Sequence, residues 1–181
     1  MQYCKTITLK DGRTCILRNG TQQDAQASLD IFIRTHAQTD YLLTYPDEIT
    51  FTAEQQAAYL QKKSDDAGEI EILAFLDGTI VGTAGVDRVG TQDKLKHRAE
   101  FGISIDKAYW GLGIGRALTR ACIVCAKEAG YTQLELQVVA DNALALALYR
   151  SEGFTEFGRN PQGFLSRLTG RQELVYMRRE L

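Results

Sequence analysis

Three glycines at alternate positions, Gly111, Gly113 and Gly115, stand in the run Ala108-Tyr-Trp-Gly-Leu-Gly-Ile-Gly-Arg-Ala-Leu118 and join a turn directly to an amphipathic helix. Glycine lets the backbone bend tightly and approach a ligand with no side chain in the way. The first N–H groups of a helix have no intrahelical partner and its dipole is positive there, so such a junction favours an anion of the pyrophosphate kind. The loop is not a P-loop, because no Lys-Ser or Lys-Thr follows it, and its spacing is not G-x-G-x-x-G. Alone it is equally compatible with a plain turn. The identity of a phosphate-bearing cofactor has to be read elsewhere.

About 30 residues further on, Asn142-Ala-Leu-Ala145-Leu-Ala-Leu148-Tyr149-Arg-Ser-Glu-Gly153-Phe154 follows the strand-like Gln133-Leu-Glu-Leu-Gln-Val-Val139. Together with the glycine loop this resembles the GNAT superfamily of N-acetyltransferases. That superfamily carries Q/R-x-x-G-x-G/A at the pyrophosphate of acetyl-CoA and N-x-x-A-x-x-L-Y-x-x-x-G-F on the next strand–helix unit. The second pattern is met at Asn142, Ala145, Leu148, Tyr149, Gly153 and Phe154. The first departs at one place, since Trp110 stands where Gln or Arg is usual. This puts one side-chain contact in doubt but not the cofactor, because backbone amides do most of the anion binding. The resemblance covers roughly residues 70 to 180.

What the resemblance implies is acetyl-CoA as co-substrate, lying between strand 98 to 105 and strand 132 to 139, which splay apart to admit it. The pantetheine amides would pair with Ile103, Ser104 and Ile105 as an added strand does. Gly111, Leu112, Gly113, Ile114, Gly115 and Arg116 would cradle the pyrophosphate. Asn142 is read as an N-cap that also touches the pantetheine arm, or as a cap alone. The family places a tyrosine hydroxyl near the sulfur, which makes Tyr149 the candidate acid for the departing thiolate; the plain reading is an aromatic core residue. Alkyl amines are mostly protonated at neutral pH, so a base is also needed. Strand alternation puts Phe101, Ile103 and Ile105 on one face and Glu100, Gly102 and Ser104 on the other, so Glu100 is the candidate base, directly or through water. Against it stands a solvated strand-end carboxylate, with Glu135 and Asp141 in reserve.

Signals for the elements that must position these groups alternate between strand and helix. Asp11-Gly12 marks a two-residue hairpin within residues 5 to 18. Thr21 with Asp24 caps a helix to about Ala37, and Thr52 with Gln55 starts another to about Lys63. Between them, residues 38 to 51 are loop-like and aromatic; Tyr41, Leu42, Leu43 and Tyr45 would wall an acceptor pocket or seal the core. Strands are expected at 70 to 76 and 79 to 86, joined by Asp77-Gly78, and at 98 to 105 after a polar loop. The loop–helix unit 109 to 129, strand 132 to 139, helix 142 to 152 and strands near 154 to 158 and 172 to 179 follow. The expected fold is a single α/β domain over 1 to 181, a GNAT-like mixed, mainly antiparallel twisted sheet with splayed central strands and flanking helices, whose one clear crossover helix carries the glycine loop.

The cysteines and histidines have plain readings. Cys122 and Cys125 share an apolar helix face with Ile114, Leu118, Ala121 and Ala129, so they are core residues rather than metal ligands. In a two-residue hairpin Cys15 faces Thr8 and Cys4 faces Asn19, which keeps those two thiols apart. His97 lies in a polar turn, and His36 ends the first helix, where a cation is favourable.

The chain has 181 residues, 24% of them charged, and a formal net charge of −2, which gives no electrostatic reason to expect nucleic acid. No apolar run reaches bilayer-spanning length and no secretory leader is visible at the start, so a cytoplasmic protein is expected. The combination of Arg98-Ala-Glu-Phe-Gly-Ile-Ser-Ile with Gly170-Arg-Gln-Glu-Leu-Val-Tyr-Met177 resembles the branch that acetylates small amines and amino acids. The expected activity is therefore acetyl transfer from acetyl-CoA to a primary amine of a small molecule, such as an amino acid or polyamine, by direct attack in a ternary complex. The alternatives are acetylation of a protein N-terminus, as in the ribosomal-protein acetyltransferases, and a non-catalytic acyl-CoA-binding module. The expected partner is a small amine; no nucleic acid or membrane partner is expected, and a homodimer is left open.

Overall fold

The computed structural model describes residues 1–181. Eight strands form one sheet: β1 (Cys4–Thr8), β2 (Thr14–Asn19), β3 (Ile70–Leu76), β4 (Thr79–Arg88), β5 (Arg98–Ile105), β6 (Gln133–Val139), β7 (Thr155–Ser166) and β8 (Gly170–Glu180). Their spatial order is β1-β2-β3-β4-β5-β6-β8-β7, and every neighbouring pair is antiparallel except β5 with β6. That one parallel pair is joined by the crossover helix α3 (Ile114–Glu128). Helices α1 (Ala25–Gln38), α2 (Ala53–Asp65) and α4 (Ala143–Ser151) complete the molecule.

Strand alternation divides the sheet into two faces. On one, Ile70, Ile72, Ala84 and Val86 pack beneath the buried stripe of α3, Ile114, Leu118, Ala121, Cys122 and Cys125, together with Leu146 and Tyr149 of α4. On the other, Leu73 meets Ile31 of α1. Burying an aliphatic side chain stabilises the fold by roughly 1.5 to 3 kcal/mol, so these two stripes determine which face each helix covers.

Several ends are closed as their sequences require. Asp24 Oδ2 accepts from the Thr21 N–H and hydroxyl at 2.9 Å each, and Thr52 and Gln55 close a reciprocal capping box. The Asp77-Gly78 turn has positive φ at both residues, 50° and 78°, the conformation a two-residue hairpin demands.

Four expectations need correction. The first hairpin is connected by residues 9 to 13, not by two: Leu9 N–H donates to Arg13 at 2.8 Å and Gly12 N–H to Leu9 at 3.0 Å. Register therefore slips by one, with Cys15 opposite Ile7 and Cys4 opposite Arg18, although all four thiols remain free. The opening turn of the first helical segment, Gln22–Asp24, is 3-10 and not α-helical. The strand expected near 154 to 158 extends to Ser166, because pairing resumes at Phe164 opposite Gln172 after an irregular stretch from Asn160, while β8 lies close to the expected 172 to 179. His36 lies in the last turn of α1, where a cation is favourable, but is held toward the neutral form. It is buried, its Nδ1 lies 2.7 Å from the Phe32 carbonyl, and burial lowers its pKa.

A buried neutral His36 has a pH signature. Its folded pKa lies below the ordinary value of about 6.5, so the unfolded chain takes up the proton first. Stability from this site is present above that value and is lost as pH falls from it toward the folded pKa. In denaturant melts between pH 7 and 5, His36→Gln is expected to show a shallower decline than the parent; equal slopes would mean that His36 is not held neutral.

Candidate active site

The site begins where β5 and β6 part. They pair at only three positions, Arg98 with Gln133, Ala99 with Leu134 and Glu100 with Glu135. Beyond Glu100 the edge of β5 that faces β6 carries no strand, while its other edge stays paired to β4 through Ile105. Arg98 closes the vertex, placing its guanidinium on Glu135 through Nε to Oε1 and through Nη2 to Oε2 at 2.7 Å. Glu135 is thus committed to an ion pair and does not line the cleft, which removes it from the reserve bases. The opening is a cleft of about 1080 Å³, enough for a large cofactor arm.

At one end of the cleft the glycine loop behaves as its spacing implies. Gly111 and Gly113 hold φ of 79° and 97°, which an L side chain adopts only with strain, and Gly113 is the N-cap of α3. Gly115 has an ordinary helical backbone, but a Cβ there would stand 3.2 Å from Ile105 Cδ1 and 3.3 Å from Leu148 Cδ2. Ile114 and Arg116 line the cleft as well, whereas Leu112 turns its side chain to the core. The Arg116 guanidinium reaches Glu152, Nε to Oε1 at 3.0 Å, so its side chain is directed along α3 toward α4 and not freely at the loop. The residue at the atypical position, Trp110, donates its indole N–H to the Ile105 carbonyl at 2.8 Å and ties the loop to the end of β5. That carbonyl is already engaged, leaving the rest of Ile103 to Ile105 as the open edge.

One cation at this end was not legible from the sequence. Lys10 sits in the β1–β2 connection, its N–H donates to the Leu112 carbonyl at 3.1 Å, and it lines the cleft. Its side chain passes above Gly113. Nothing local marks Lys10 out; only the hairpin's fold-over brings it there.

Farther along, Asn142 both caps α4 and lines the cleft. Its Oδ1 accepts from Ala145 N–H at 3.2 Å, so the cap reading holds. Gly153, with φ of 84°, ends α4. Phe154 then turns inward, and its ring lies 5.9 Å from Tyr149 and 6.3 Å from Phe101, with Tyr149 edge-on to Phe101 at 6.0 Å. Tyr149 is only 7% exposed yet lines the cleft, and burial raises its pKa, which keeps the phenol protonated at neutral pH.

Glu100 lies on the opposite face of the sheet, exposed, lining the cleft, with Gln137 Nε2 at 3.4 Å from its Oε1. Asp141, the other reserve base, lines the cleft beside Asn142. His97 is exposed in the loop before β5, as its sequence suggests.

A second cavity of about 560 Å³ adjoins the cleft on the Glu100 face and shares Gly102, Ile103 and Ser104 with it. It lies between the sheet and α1 and α2, lined by Ser28, Phe32, His36, Gln56 and Tyr59. Leu42 and Leu43 wall both spaces and Tyr41 the cleft. Tyr45 does not; it fastens this segment to the β7–β8 turn, its hydroxyl accepting from Arg167 N–H at 2.7 Å. Asp40 completes the fastening: its Oδ2 accepts from Ser166, Thr169 and Gln172 at 2.6, 2.8 and 3.0 Å. Sequence reading did not find Asp40, because its partners are more than 120 residues away.

A sheet opened at one parallel pair, with a glycine-capped helix at the mouth and a protonated tyrosine inside, is the arrangement that the family resemblance implies for an acyl-CoA-dependent transferase. The acetyltransferase (GNAT) family model matches residues 32–154. The chain belongs to that family of acetyltransferases, for which acetyl-CoA is the co-substrate. It is 30% identical over 155 residues to the [ribosomal protein bS18]-alanine N-acetyltransferase of Escherichia coli, covering 85% of this chain and 89% of that one. It is 28% identical over 140 residues to the L-amino acid N-acetyltransferase AaaT of E. coli, covering 77% and 82%. A likeness to the N-alpha-acetyltransferase RimI of Mycobacterium tuberculosis, 43% identical over 81 residues, spans 45% of this chain and about half of that protein, 49%. Among solved structures, a GNAT-family acetyltransferase from Streptococcus pneumoniae superposes with a TM-score of 0.88 at 26% identity, over 92% of this chain and 99% of that one.

Replacing Gly113 by Ala keeps the loop's length but forces a Cβ into the left-handed region, at a cost of roughly 1 to 2 kcal/mol. Calorimetric titration with acetyl-CoA is expected to show a larger loss of affinity in Gly113→Ala than in Lys10→Ala, with the Lys10 effect shrinking at high salt. A greater loss from Lys10→Ala would make the side-chain cation, not the backbone, the main anion contact.

Proposed function

We propose that the protein transfers the acetyl group of acetyl-CoA to the primary amine of a small molecule by direct attack within a ternary complex. One observation carries this reading: Tyr149 and Glu100 line the same cleft from opposite faces of the sheet, where β5 and β6 have separated. A thioester passing through the opening would have a proton donor behind its sulfur and a carboxylate on the side from which an amine arrives. In this reading the unpaired edge of β5 at Ile103, Ser104 and Ile105 holds the pantetheine arm, and the backbone from Gly111 to Arg116 faces the pyrophosphate, with Lys10 beside it. Asn142 would touch the arm from its cap position.

In the transfer the C–N bond forms and the C–S bond breaks. Glu100 takes the proton that the ammonium must lose, directly or through a water, and passes it to solvent. Tyr149 gives its hydroxyl proton to the leaving thiolate and is reprotonated, through solvent, by the second proton that the attacking nitrogen sheds as it becomes an amide. Its raised pKa fits that role, because the phenol stays protonated across the physiological range. An acceptor cavity of about 560 Å³ lies within the ordinary size range of small-molecule pockets, which favours a small amine over a protein N-terminus. The ribosomal-protein reading retains the support of the bS18-alanine enzyme's 30% identity.

Tyr149→Phe preserves the ring packing against Phe101 and Phe154 and removes only the hydroxyl. Turnover in a CoA-release assay is expected to fall roughly 10²- to 10⁴-fold with acetyl-CoA affinity little changed; a full rate in this variant would leave Tyr149 as packing only. Glu100→Gln is expected to depress turnover and to alter the acid limb of the pH–rate profile. An unchanged profile would move the proton to a water chain or to Asp141. Run across amino acids, amines and N-terminal peptides, the same assay separates the small-amine reading from the protein one.

A further inference from the structure

The acceptor side of the sheet has a floor that two aligned glycines leave bare. Glu71 of β3, Gly85 of β4 and Gly102 of β5 stand side by side in the register, and in the next row on the same face Asp87 stands beside Glu100. The Glu71 carboxylate folds over Gly85, where a Cβ would lie 2.6 Å from Oε2, while above Gly102 nothing lies within 4 Å. The space between is the second cavity, lined by both Glu71 and Asp87 and continuous with the cleft at Gly102 and Ser104. Two strand spacings, about 10 Å, separate the row's Glu71 end from β5.

The charges around this floor are unbalanced. Glu71 accepts from Thr83 Oγ1 at 2.5 Å and from the Tyr59 hydroxyl at 3.3 Å, both neutral donors. Lys63, buried nearby, is engaged by Asp87 and lies 3.9 Å from Glu69. No lysine or arginine lines the second cavity, and its histidine, His36, is held toward the neutral form by burial. The cations of the cleft, Lys10 and Arg116, both lie at the glycine-loop end. Phe32 and Phe51, with ring centroids 5.6 Å apart, form an apolar flank.

We infer that the acceptor is a linear aliphatic diamine or polyamine, lying across Gly85 and Gly102 with its distal ammonium held by Glu71 and Asp87 and its reacting amine beside Glu100. This rests on the acetyltransferase reading above and narrows it. The methylenes match a glycine floor with an aromatic flank, and the distal charge supplies the counter-ion that Glu71 lacks. Burial raises the Glu71 pKa, in keeping with a carboxylate short of a cation. An α-amino acid fits poorly, since its own carboxylate would face Glu100 and Asp87 with no free cation to receive it.

The test measures CoA release by the full chain with spermidine, putrescine, n-butylamine and alanine. Spermidine or putrescine is expected to exceed butylamine and alanine in kcat/KM by roughly 10- to 100-fold, the worth of one hydrogen bond to a charged group. In Glu71→Gln, and separately in Asp87→Asn, the diamine-to-monoamine ratio is expected to collapse, mainly through KM. Butylamine or alanine turning over as fast as the diamines in the parent protein would overturn the inference and leave the acetyltransferase reading standing. No release with any amine, despite measurable acetyl-CoA binding, would overturn both.

Discussion

The parting of β5 and β6 is the constraint on which the rest depends. A sheet interior normally satisfies its backbone donors and acceptors strand by strand, and unpaired edges are costly or hazardous. Here an edge in mid-sheet is left open from Glu100 onward, and the cost is localised by a short, strongly held vertex. The Arg98–Glu135 ion pair sits at that vertex, and the antiparallel β4–β5 and β6–β8 pairings on either side keep the two halves rigid. Because the connection between β5 and β6 is a crossover helix, its N-terminus is delivered to the mouth of the opening. The open strand edge, the glycine-capped helix start and the cleft lined by Tyr149 and Glu100 all follow from one interrupted pairing.

That opening also sorts the chemistry by side. Phe101 of β5 turns toward α3 and α4, where it meets Tyr149 and Phe154; the residues of even number turn to the other face, where Gly102 and Ser104 line the second cavity and Glu100 lines the cleft. Tyr149 and Glu100 are therefore kept apart, and each has its own environment. Tyr149 is buried, which raises its pKa and keeps it protonated, while Glu100 is exposed. The Glu100 face is in turn assembled from segments far apart in sequence, with Asp40 and Tyr45 fastening the aromatic loop to the β7–β8 turn.

Much of this was legible in the chain itself. Local rules set the elements: Asp77-Gly78 admits only a tight turn, Thr52 with Gln55 closes a helix start, and Gly111 and Gly113 take a positive φ that glycine tolerates cheaply. The identities at Asn142, Tyr149, Gly153 and Phe154 specify a cap, a buried ring, a helix end and its inward turn, all within one short segment. Where local signals were incomplete the reading slipped, as in the first hairpin, whose register depends on a five-residue connection, and in β7, whose exposed residues show no clear alternation until β8 pairs with them.

What the sequence by itself determined, then, was the local backbone: turns, caps, faces, and the loop–helix junction that favours an anion. Those depend on contacts within a few residues, which spacing encodes directly. Tertiary structure alone decided which charges meet. It paired Glu135 with Arg98, carried Lys10 onto the glycine loop, buried His36 and set Glu71 over Gly85 beside Gly102. Each depends on strand register or helix docking summed over the whole apolar core, and the energy that fixes it resides in distant side chains rather than in the residues whose chemistry it sets.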